Sequence, residues 1–262
     1  MTGASTVVPT WAAVAFSFVL VLIAAGIAWR ERLGISRDIV VAAVRAFVQL
    51  VAVGAILAWL FANAGVAGAV LWVCVMVLIA GVEAARRGKG LPRAWVVATA
   101  GITAGTVTTL GVLVVGGVID TEPRVLIPIG GMVVSGAMQA CALVLRDVRR
   151  SAEVDRAAVE AALCLGLSAR SAFEPHARRA VRGALVPSVD TTRVVGLISL
   201  PGAMTGLILA GVEPLAAIRY QIVVMYMLLA AWAVAALVTE RLAERWLFDD
   251  AERLVPVAAA TG

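Results

Sequence analysis

The chain has 262 residues, of which 62% are hydrophobic and 15% are charged, with a mean hydropathy of +0.99 and a formal net charge of +5. Soluble domains are about 45–50% apolar, so this composition excludes an ordinary soluble protein and indicates an integral membrane protein. The cysteines at Cys74, Cys141 and Cys164 are widely separated, a spacing that indicates neither a zinc site nor a disulfide framework.

Long apolar runs predict the transmembrane helices, because about 20 residues at about 1.5 Å rise cross a hydrocarbon core. In chain order the runs are Thr10–Trp29, Ile39–Ala62, Gly65–Val82, Ala94–Ile119, Val125–Leu145, Val194–Val212 and Ala217–Thr239. The first run is long and has no basic N-terminal flank, which favours an ordinary span over a signal peptide. We predict an all-α integral membrane protein with about seven transmembrane helices, forming one permease domain over residues 1–262.

The basic residues predict the orientation, because cytoplasmic loops are enriched in Lys and Arg. With the N-terminus outside, 19 of the 22 basic residues fall on the cytoplasmic side. The outer connections "NAG", "DTEP" and "GVEP" are short. The N-terminus is therefore predicted outside and the C-terminus in the cytoplasm.

Residues 146–193, between spans five and six, form the only long polar interval, which is predicted to be a cytoplasmic loop. Helical spacing of small and apolar residues predicts an amphipathic helix from about Ser151 to Leu165, and Gly166 is well placed to end it. Ser168 is a candidate N-cap for the segment that follows.

A second, arginine-rich helix is predicted to run to about Gly183 and to be broken by Pro187. Candidate caps for span six then follow at Asp190, Thr191 and Thr192.

The helix before Gly166 is nearly neutral, since Glu160 is the only charge from Ala157 to Gly166. A neutral helix of small residues favours contact with a protein. The alternative is that the arginine-rich loop only anchors to anionic lipid headgroups.

The segment "EAALCLGLSAR" resembles the EAA-type coupling segment of ABC transporter permeases, in which Glu-Ala-Ala is followed by a glycine four residues after the last alanine. The resemblance implies that the segment seats on an ATPase subunit and carries its motion into the membrane. The implied coupling residues are Glu160, Ala161, Ala162, Leu165, Gly166 and Ser168.

Three further stretches resemble one permease family in their order along the chain. They are "RAFVQL" (Arg45–Leu50), "IPIGGMVVSGAM" (Ile127–Met138) and "RAVRGALVPSVDTTRVVGLISLPGAMTGLILAGVEPLAAIRYQI" (Arg179–Ile222). Over roughly residues 39–240 the chain resembles the FetB-type permeases, the membrane subunits of a bacterial ABC transporter assigned to iron export, with plant relatives linked to aluminium tolerance. The resemblance implies a homodimeric permease of the plasma membrane, the inner membrane in bacteria, that exports iron or another metal with a separate cytosolic ATPase.

The chain contains no GxxxxGK[ST] phosphate loop. If transport is driven by ATP, the nucleotide and Mg²⁺ are bound by the partner ATPase, and we expect no cofactor on this chain. The expected partners are that ATPase, a second permease copy and the lipid bilayer, and no nucleic acid.

Span six contains "SLPGAMTGLILAG", in which Pro201 and Gly202 predict a kink or break. Interrupted helices often line transport paths, which makes Pro201, Gly202 and Met204 path candidates. Gly202 and Gly206 also form a GxxxG pair, which permits close helix packing or dimer contact. Both interpretations stay open.

Two further groups are path candidates. Met132, Ser135 and Gln139 share one face of span five, and Arg45 and Gln49 lie one turn apart in span two. Packing is the alternative for the first group, and for Arg45 the alternative is extension to the membrane interface. The metal ligands are not identified by these residues, because thioethers are poor ligands for ferric iron.

Two other classes of protein are disfavoured. A secondary transporter coupled to ions is expected to carry acids within its spans, whereas every Asp and Glu here lies at a span end or in a loop. A membrane-embedded enzyme is expected to carry a motif such as HExxH or GxSxG, and the sequence has neither. A non-catalytic permease is favoured. The assignment of a metal as the substrate rests on the family resemblance alone, and the direction of transport stays open.

Overall fold

The computed structural model describes residues 10–63, 65–198 and 200–257, and most of these residues are helical. The helices are α1 (Trp11–Arg30), α2 (Ser36–Asn63), α3 (Val66–Ala85), α4 (Ala94–Val115), α5 (Pro123–Val154), α6 (Arg156–Cys164), α7 (Ala169–Val194), α8 (Gly202–Leu209) and α9 (Pro214–Leu247). A 3-10 turn, Arg86–Gly88, continues α3. The predicted all-α class is confirmed.

Within the described residues, six helices are long and apolar enough to cross a membrane: α1, α2, α3, α4, α5 and α9. The predicted sixth span, Val194–Val212, is not a continuous helix, so the prediction of seven such spans is wrong there. Gly196 has φ +81°, and Pro201 is extended at φ −62° and ψ 146°. Because neither conformation continues an α-helix, α7 ends at Val194 and α8 begins only at Gly202. The predicted break at Pro201–Gly202 is confirmed.

Helices α5 and α9 contain 32 and 34 residues. At about 1.5 Å per residue they are about 48 and 51 Å long, whereas a hydrocarbon core is about 30 Å thick. Both helices therefore extend beyond the membrane. Helix α6 follows the end of α5, and α7 packs against both α5 and α9. These ends lie at the side that the basic residues predict to be cytoplasmic.

Helix α4 packs closely on α9 because glycines face the neighbouring backbone. A Cβ atom at Gly105 would lie 2.8 Å from the carbonyl oxygen of Ala231. A Cβ atom at Gly101 would clash with the hydroxyl oxygen of Thr239. Close approach of this kind drives helix association in lipid, where the solvent is as apolar as the side chains.

Helices α1 and α2 form a hairpin that packs on the body through the end of α2. Leu60 is buried there in a cluster with Ala69, Leu126 and Ile127. The remaining length of α2 is largely exposed in a single copy of the chain, including Arg45 and Gln49.

The polar interval differs from its prediction in two ways. The predicted helix from Ser151 to Leu165 is two helices, because α5 continues to Val154 and α6 begins after a break at Asp155. Helix α7 runs on through Pro187 to Val194, so its predicted end near Gly183 is wrong.

The predicted caps of span six lie inside α7. The hydroxyls of Thr191 and Thr192 donate, each at 2.8 Å, to the carbonyl oxygens of Pro187 and Ser188. The helix tolerates Pro187 because α7 packs along α5 and α9 with Ala180 and Ala184 buried, so tertiary contacts outweigh one missing backbone hydrogen bond.

Candidate functional site

A short bend joins α6 to α7, and we call α6, the turn Leu165–Ser168 and the first turn of α7 the elbow. Helix α6 ends in a Schellman motif: the N–H of Gly166 donates to the carbonyl oxygen of Leu163 at 2.9 Å, and that of Leu167 to Ala162 at 3.2 Å. Gly166 has φ +88°, a conformation that glycine adopts without a Cβ clash. Its predicted role in ending the helix is confirmed.

The next helix begins with a side-chain cap, as predicted. Ser168 Oγ accepts a hydrogen bond from the N–H of Ser171 at 3.3 Å. The elbow is therefore a defined structure whose two helix ends are both satisfied locally.

One face of α6 is buried and the opposite face is exposed. Val159 is fully buried in the main core together with Phe173 of α7. Leu165 is 82% exposed, Glu160 and Ala161 are exposed, and Ala162 is half-buried. Most of the EAA-type residues thus lie on an accessible surface that is fixed to the body through Val159.

Asp155 fixes the break between α5 and α6. Its carboxylate lies 3.1 Å from His176 Nδ1 and 3.6 Å from a guanidinium nitrogen of Arg179, both on α7. The ring of His176 also packs on Phe173, with centroids 5.5 Å apart. The start of α6 is therefore held by α7 as well as by α5.

After α9 the chain folds back in a compact segment, Phe248–Val257, which we call the C-terminal turn. The Asp249 carboxylate accepts hydrogen bonds from the N–H groups of Arg253 at 2.8 Å and Ala251 at 3.0 Å, and from Arg253 Nε at 2.9 Å. These bonds, led by that from the Arg253 backbone, lower the pKa of Asp249 from its ordinary value. Leu254 is buried in the main core, and the N–H of Val255 donates to the carbonyl oxygen of Leu247 at 2.9 Å.

Two hydrogen bonds tie the C-terminal turn to the elbow. Arg156 Nη2 donates to the carbonyl oxygen of Leu254 at 3.1 Å, while its Nε donates to Glu160 at 2.7 Å. Glu252 Oε2 accepts from the N–H of Ala169 at 2.9 Å, at the start of α7. Local sequence patterns do not indicate this arrangement, because the two partners of each tie are 98 and 83 positions apart.

The elbow and the C-terminal turn enclose a groove of about 1220 Å³. We call it the elbow groove. Its lining residues are Arg156, Glu160, Leu163, Cys164, Gly166, Leu167 and Ser168 on one side and Asp249, Ala251–Pro256 on the other.

A second cavity, of about 530 Å³, lies between α5, α7 and α9. Three of its lining residues, Met132, Ser135 and Gln139, are the path candidates of span five. The others are Gly131, Gly136, Pro187, Ser188, Thr191, Met225, Leu228 and Trp232. All of these side chains are uncharged, and they offer hydroxyl, amide, indole and thioether groups.

The remaining path candidates do not line this cavity. Met204 is buried in α8, whereas Gly202 and Gly206 are exposed and a Cβ atom at either would meet nothing within 4 Å. Arg45 and Gln49 are exposed on α2. Of the three predicted groups of path candidates, only Met132, Ser135 and Gln139 line this cavity.

Comparison with known protein families gives one match over most of the chain. The family described as "Uncharacterised protein family (UPF0014)" matches residues 11–248. The chain belongs to the UPF0014 family.

Three relatives within the family are similar over nearly the whole chain. A rice protein named "UPF0014 membrane protein STAR2" is 38% identical over 90% of this chain and 82% of its own length. The Escherichia coli "Probable iron export permease protein FetB" is 34% identical over 92% of this chain and 93% of its own. The Arabidopsis "Protein ALUMINUM SENSITIVE 3" is 36% identical over 92% and 88%.

These matches confirm the predicted resemblance to FetB-type permeases and the predicted membrane location. No solved structure matches this chain.

Proposed function

We propose that this chain is the membrane subunit of an ABC transporter and that a separate cytosolic ATPase docks on the elbow. The observation that carries the proposal is the form of α6, a short helix with Glu160, Ala161 and Leu165 exposed and Val159 anchored in the core. Such a helix can receive a partner on one side and move the body on the other.

The chemistry of the exposed face favours a protein partner. Leu165 is almost fully exposed, and the one arginine of α6, Arg156, is paired with Glu160 at 2.7 Å, so α6 offers no unpaired arginine to anionic headgroups. An alanine at position 161 lets a partner surface approach closely.

The connections of the elbow suggest how motion reaches the membrane. Helix α6 follows α5 through Asp155 and leads into α7 through Gly166. Helices α5 and α7 both line the cavity that holds Ser135 and Thr191. A displacement of α6 would therefore move two walls of that cavity, as alternating access requires.

The proposed cargo is iron or another metal, and the proposed direction is export. Support comes from the name of the Escherichia coli relative, which is 34% identical to this chain. Oxygen groups suit hard metal ions and thioethers suit soft ones, and the cavity offers both types through Ser135, Gln139, Met132 and Met225.

We further propose that two copies of the chain form the permease. Arg45 is exposed on a helix of membrane-spanning length and has no ion-pair partner among the residues that the structure describes. A charge at that position needs the interface, water or a second chain. Gly202 and Gly206 in α8 leave room for a close helix contact.

The test is ATP turnover and complex formation by the purified chain with a candidate ABC ATPase subunit from the same organism. Leu165→Asp is expected to reduce binding of the ATPase at least tenfold. Val154→Asp is the matched control, because Val154 is 72% exposed but lies at the end of α5, outside the elbow. If the chain binds no ATPase, or if both variants behave as wild type, the elbow is a headgroup anchor and the proposal is wrong.

A further inference from the structure

We propose that the C-terminal turn forms the second wall of the ATPase docking site, so that the partner subunit contacts its exposed residues, among them Ala251 and Pro256, together with the elbow. This inference rests on the proposed function and extends it to a segment that has no counterpart in the EAA-type motif. It assigns an interaction surface to the residues that follow the last membrane helix.

The geometry of the elbow groove is the first support. Gly166 and Leu167 on the elbow and Ala251 and Pro256 on the C-terminal turn line the same concavity of about 1220 Å³. Both sides are accessible, because Leu167, Ala251 and Pro256 are all exposed. A protein surface that fills the groove from the elbow side meets the opposite wall.

The rigidity of the opposite wall is the second support. Leu254 is buried in the same core as Val159, so the C-terminal turn and α6 are anchored on one body. Arg156 and Glu252 provide the two hydrogen-bonded ties across the groove. A wall held at both ends in this way presents a fixed shape to a partner.

The backbone conformation of Glu252 is the third support. Glu252 has φ +54°, a left-handed conformation that is strained for a non-glycine residue. Its N–H donates to the carbonyl oxygen of Asp249 at 2.9 Å, and its carboxylate reaches Ala169. The turn thus keeps a strained residue whose side chain joins it to the elbow.

The charge of the groove favours a protein over a lipid surface. Its charged lining residues are three acids and two arginines: Glu160, Asp249, Glu252, Arg156 and Arg253. This is a locally acidic site on a chain whose net charge is +5. Arg156 is paired with Glu160 and Arg253 with Asp249, so the groove offers little positive charge to anionic headgroups, whereas a mixed rim around apolar side chains is typical of protein interfaces.

The decisive experiment compares two tryptophan substitutions in the same turn. Ala251→Trp adds bulk inside the groove and keeps the backbone hydrogen bond to Asp249, whereas Asp250→Trp adds it to an exposed neighbour that does not line the groove. We expect Ala251→Trp to raise the Kd for the purified ATPase at least tenfold and Asp250→Trp to change it less than twofold. Equal Kd values for both variants would overturn the inference.

A second measurement reports contact directly instead of affinity. A photo-crosslinking amino acid with a small aliphatic diazirine side chain at position 251, which adds much less bulk than tryptophan, should capture the purified ATPase, and the same group at position 250 should capture much less. Equal capture at both positions, or none at 251, counts against the inference.

The proposed function and this inference fail differently. If Leu165→Asp abolishes ATPase binding but Ala251→Trp leaves it intact, the docking site is confined to the elbow. If the wild-type chain binds no ATPase at all, both the proposed function and this inference are wrong.

Discussion

The carboxylate of Glu252 accepts a 2.9 Å hydrogen bond from the backbone N–H of Ala169, which joins the end of the described chain to the start of α7. The first N–H groups of a helix have no partner within the helix, and a negative charge there also complements the helix dipole. One side chain of the C-terminal turn therefore serves as an anion at the N-terminus of the helix that leads from the elbow into the protein body.

Removal of the Glu252 side chain should destabilise the C-terminal turn in a way that depends on the replacement. Glu252→Ala loses the tie and keeps the strained φ of +54°, whereas Glu252→Gly loses the tie and relieves the strain. We expect the free energy of opening of the turn to be about 1 kcal/mol higher in the glycine variant than in the alanine variant, so that its amides exchange more slowly. Hydrogen exchange of the amides of residues 251–255 measures the difference. Better protection in the alanine variant would contradict the assigned strain.

Low pH should destabilise the C-terminal turn. Because the pKa of Asp249 is lower in the folded turn than its ordinary value of about 3.9, the ionised carboxylate stabilises the turn. This contribution is fully present above about pH 4–5 and is lost as the pH falls through the folded pKa. Proteolytic nicking after Arg253, measured with an acid-stable protease from pH 6 to pH 3, should rise at the acidic end. Asp249→Asn should be nicked readily at every pH, and Asp250→Asn should follow the wild type.

A side chain at Gly166 should damage the elbow. Gly166→Ala places a Cβ at φ +88° and is expected to cost about 1–2 kcal/mol locally, although nothing lies within 4 Å of that Cβ. ATP turnover of the complex should fall while the thermal midpoint of the membrane helices changes little. Gly54→Ala, in a helical and open position of α2, is the control and should be neutral or slightly stabilising. Unchanged turnover in Gly166→Ala would show that coupling does not need this turn.

The contact between α4 and α9 should be sensitive to one methyl group. Gly105→Ala puts a Cβ 2.8 Å from the backbone oxygen of Ala231 and 3.1 Å from the Cβ of Ala235, so the helices must separate. We expect a loss of about 1–3 kcal/mol in unfolding free energy, measured by denaturant titration in mixed micelles. Gly111→Ala on the same helix meets nothing within 4 Å and should cost less than about 0.5 kcal/mol. Equal effects would argue against the close packing of α4 on α9.

Blocking the cavity between α5, α7 and α9 should separate transport from docking. Ser135→Phe fills space beside Gln139 and Thr191 and is expected to reduce the proposed metal export at least tenfold while the proposed ATPase binding stays within twofold. Val107→Phe is the control, because Val107 is 65% exposed on α4, away from this cavity. Wild-type export by Ser135→Phe would exclude this cavity from the path.

Several features of the fold follow directly from local sequence. Apolar runs of sufficient length specify membrane helices, because a helix satisfies its own backbone groups in lipid. Gly166 and Ser168 were also predictable, since a left-handed turn and an N-cap depend on the residue at that position and its immediate neighbours. The cavity-lining face of Met132, Ser135 and Gln139 follows from helical spacing alone.

Helix α7 shows where local signals fail. Pro187 predicts a break, yet the helix continues because packing on α5 and α9 outweighs the missing hydrogen bond. Conversely, the apolar run Val194–Val212 predicts one span, yet Gly196 and Pro201 divide it. Hydropathy measures the preference for lipid and does not report whether the backbone can remain helical.

The sequence by itself determined the class of the protein, its long helices and the two caps of the elbow, because each depends on residues close together in the chain. Only the tertiary structure decided that the C-terminal turn meets the elbow. Arg156 and Leu254 are 98 positions apart, and Ala169 and Glu252 are 83 apart. Their meeting depends on the parallel extension of α5 and α9 beyond the membrane and on the burial of Leu254 beside Val159, and no local pattern encodes a contact of that kind.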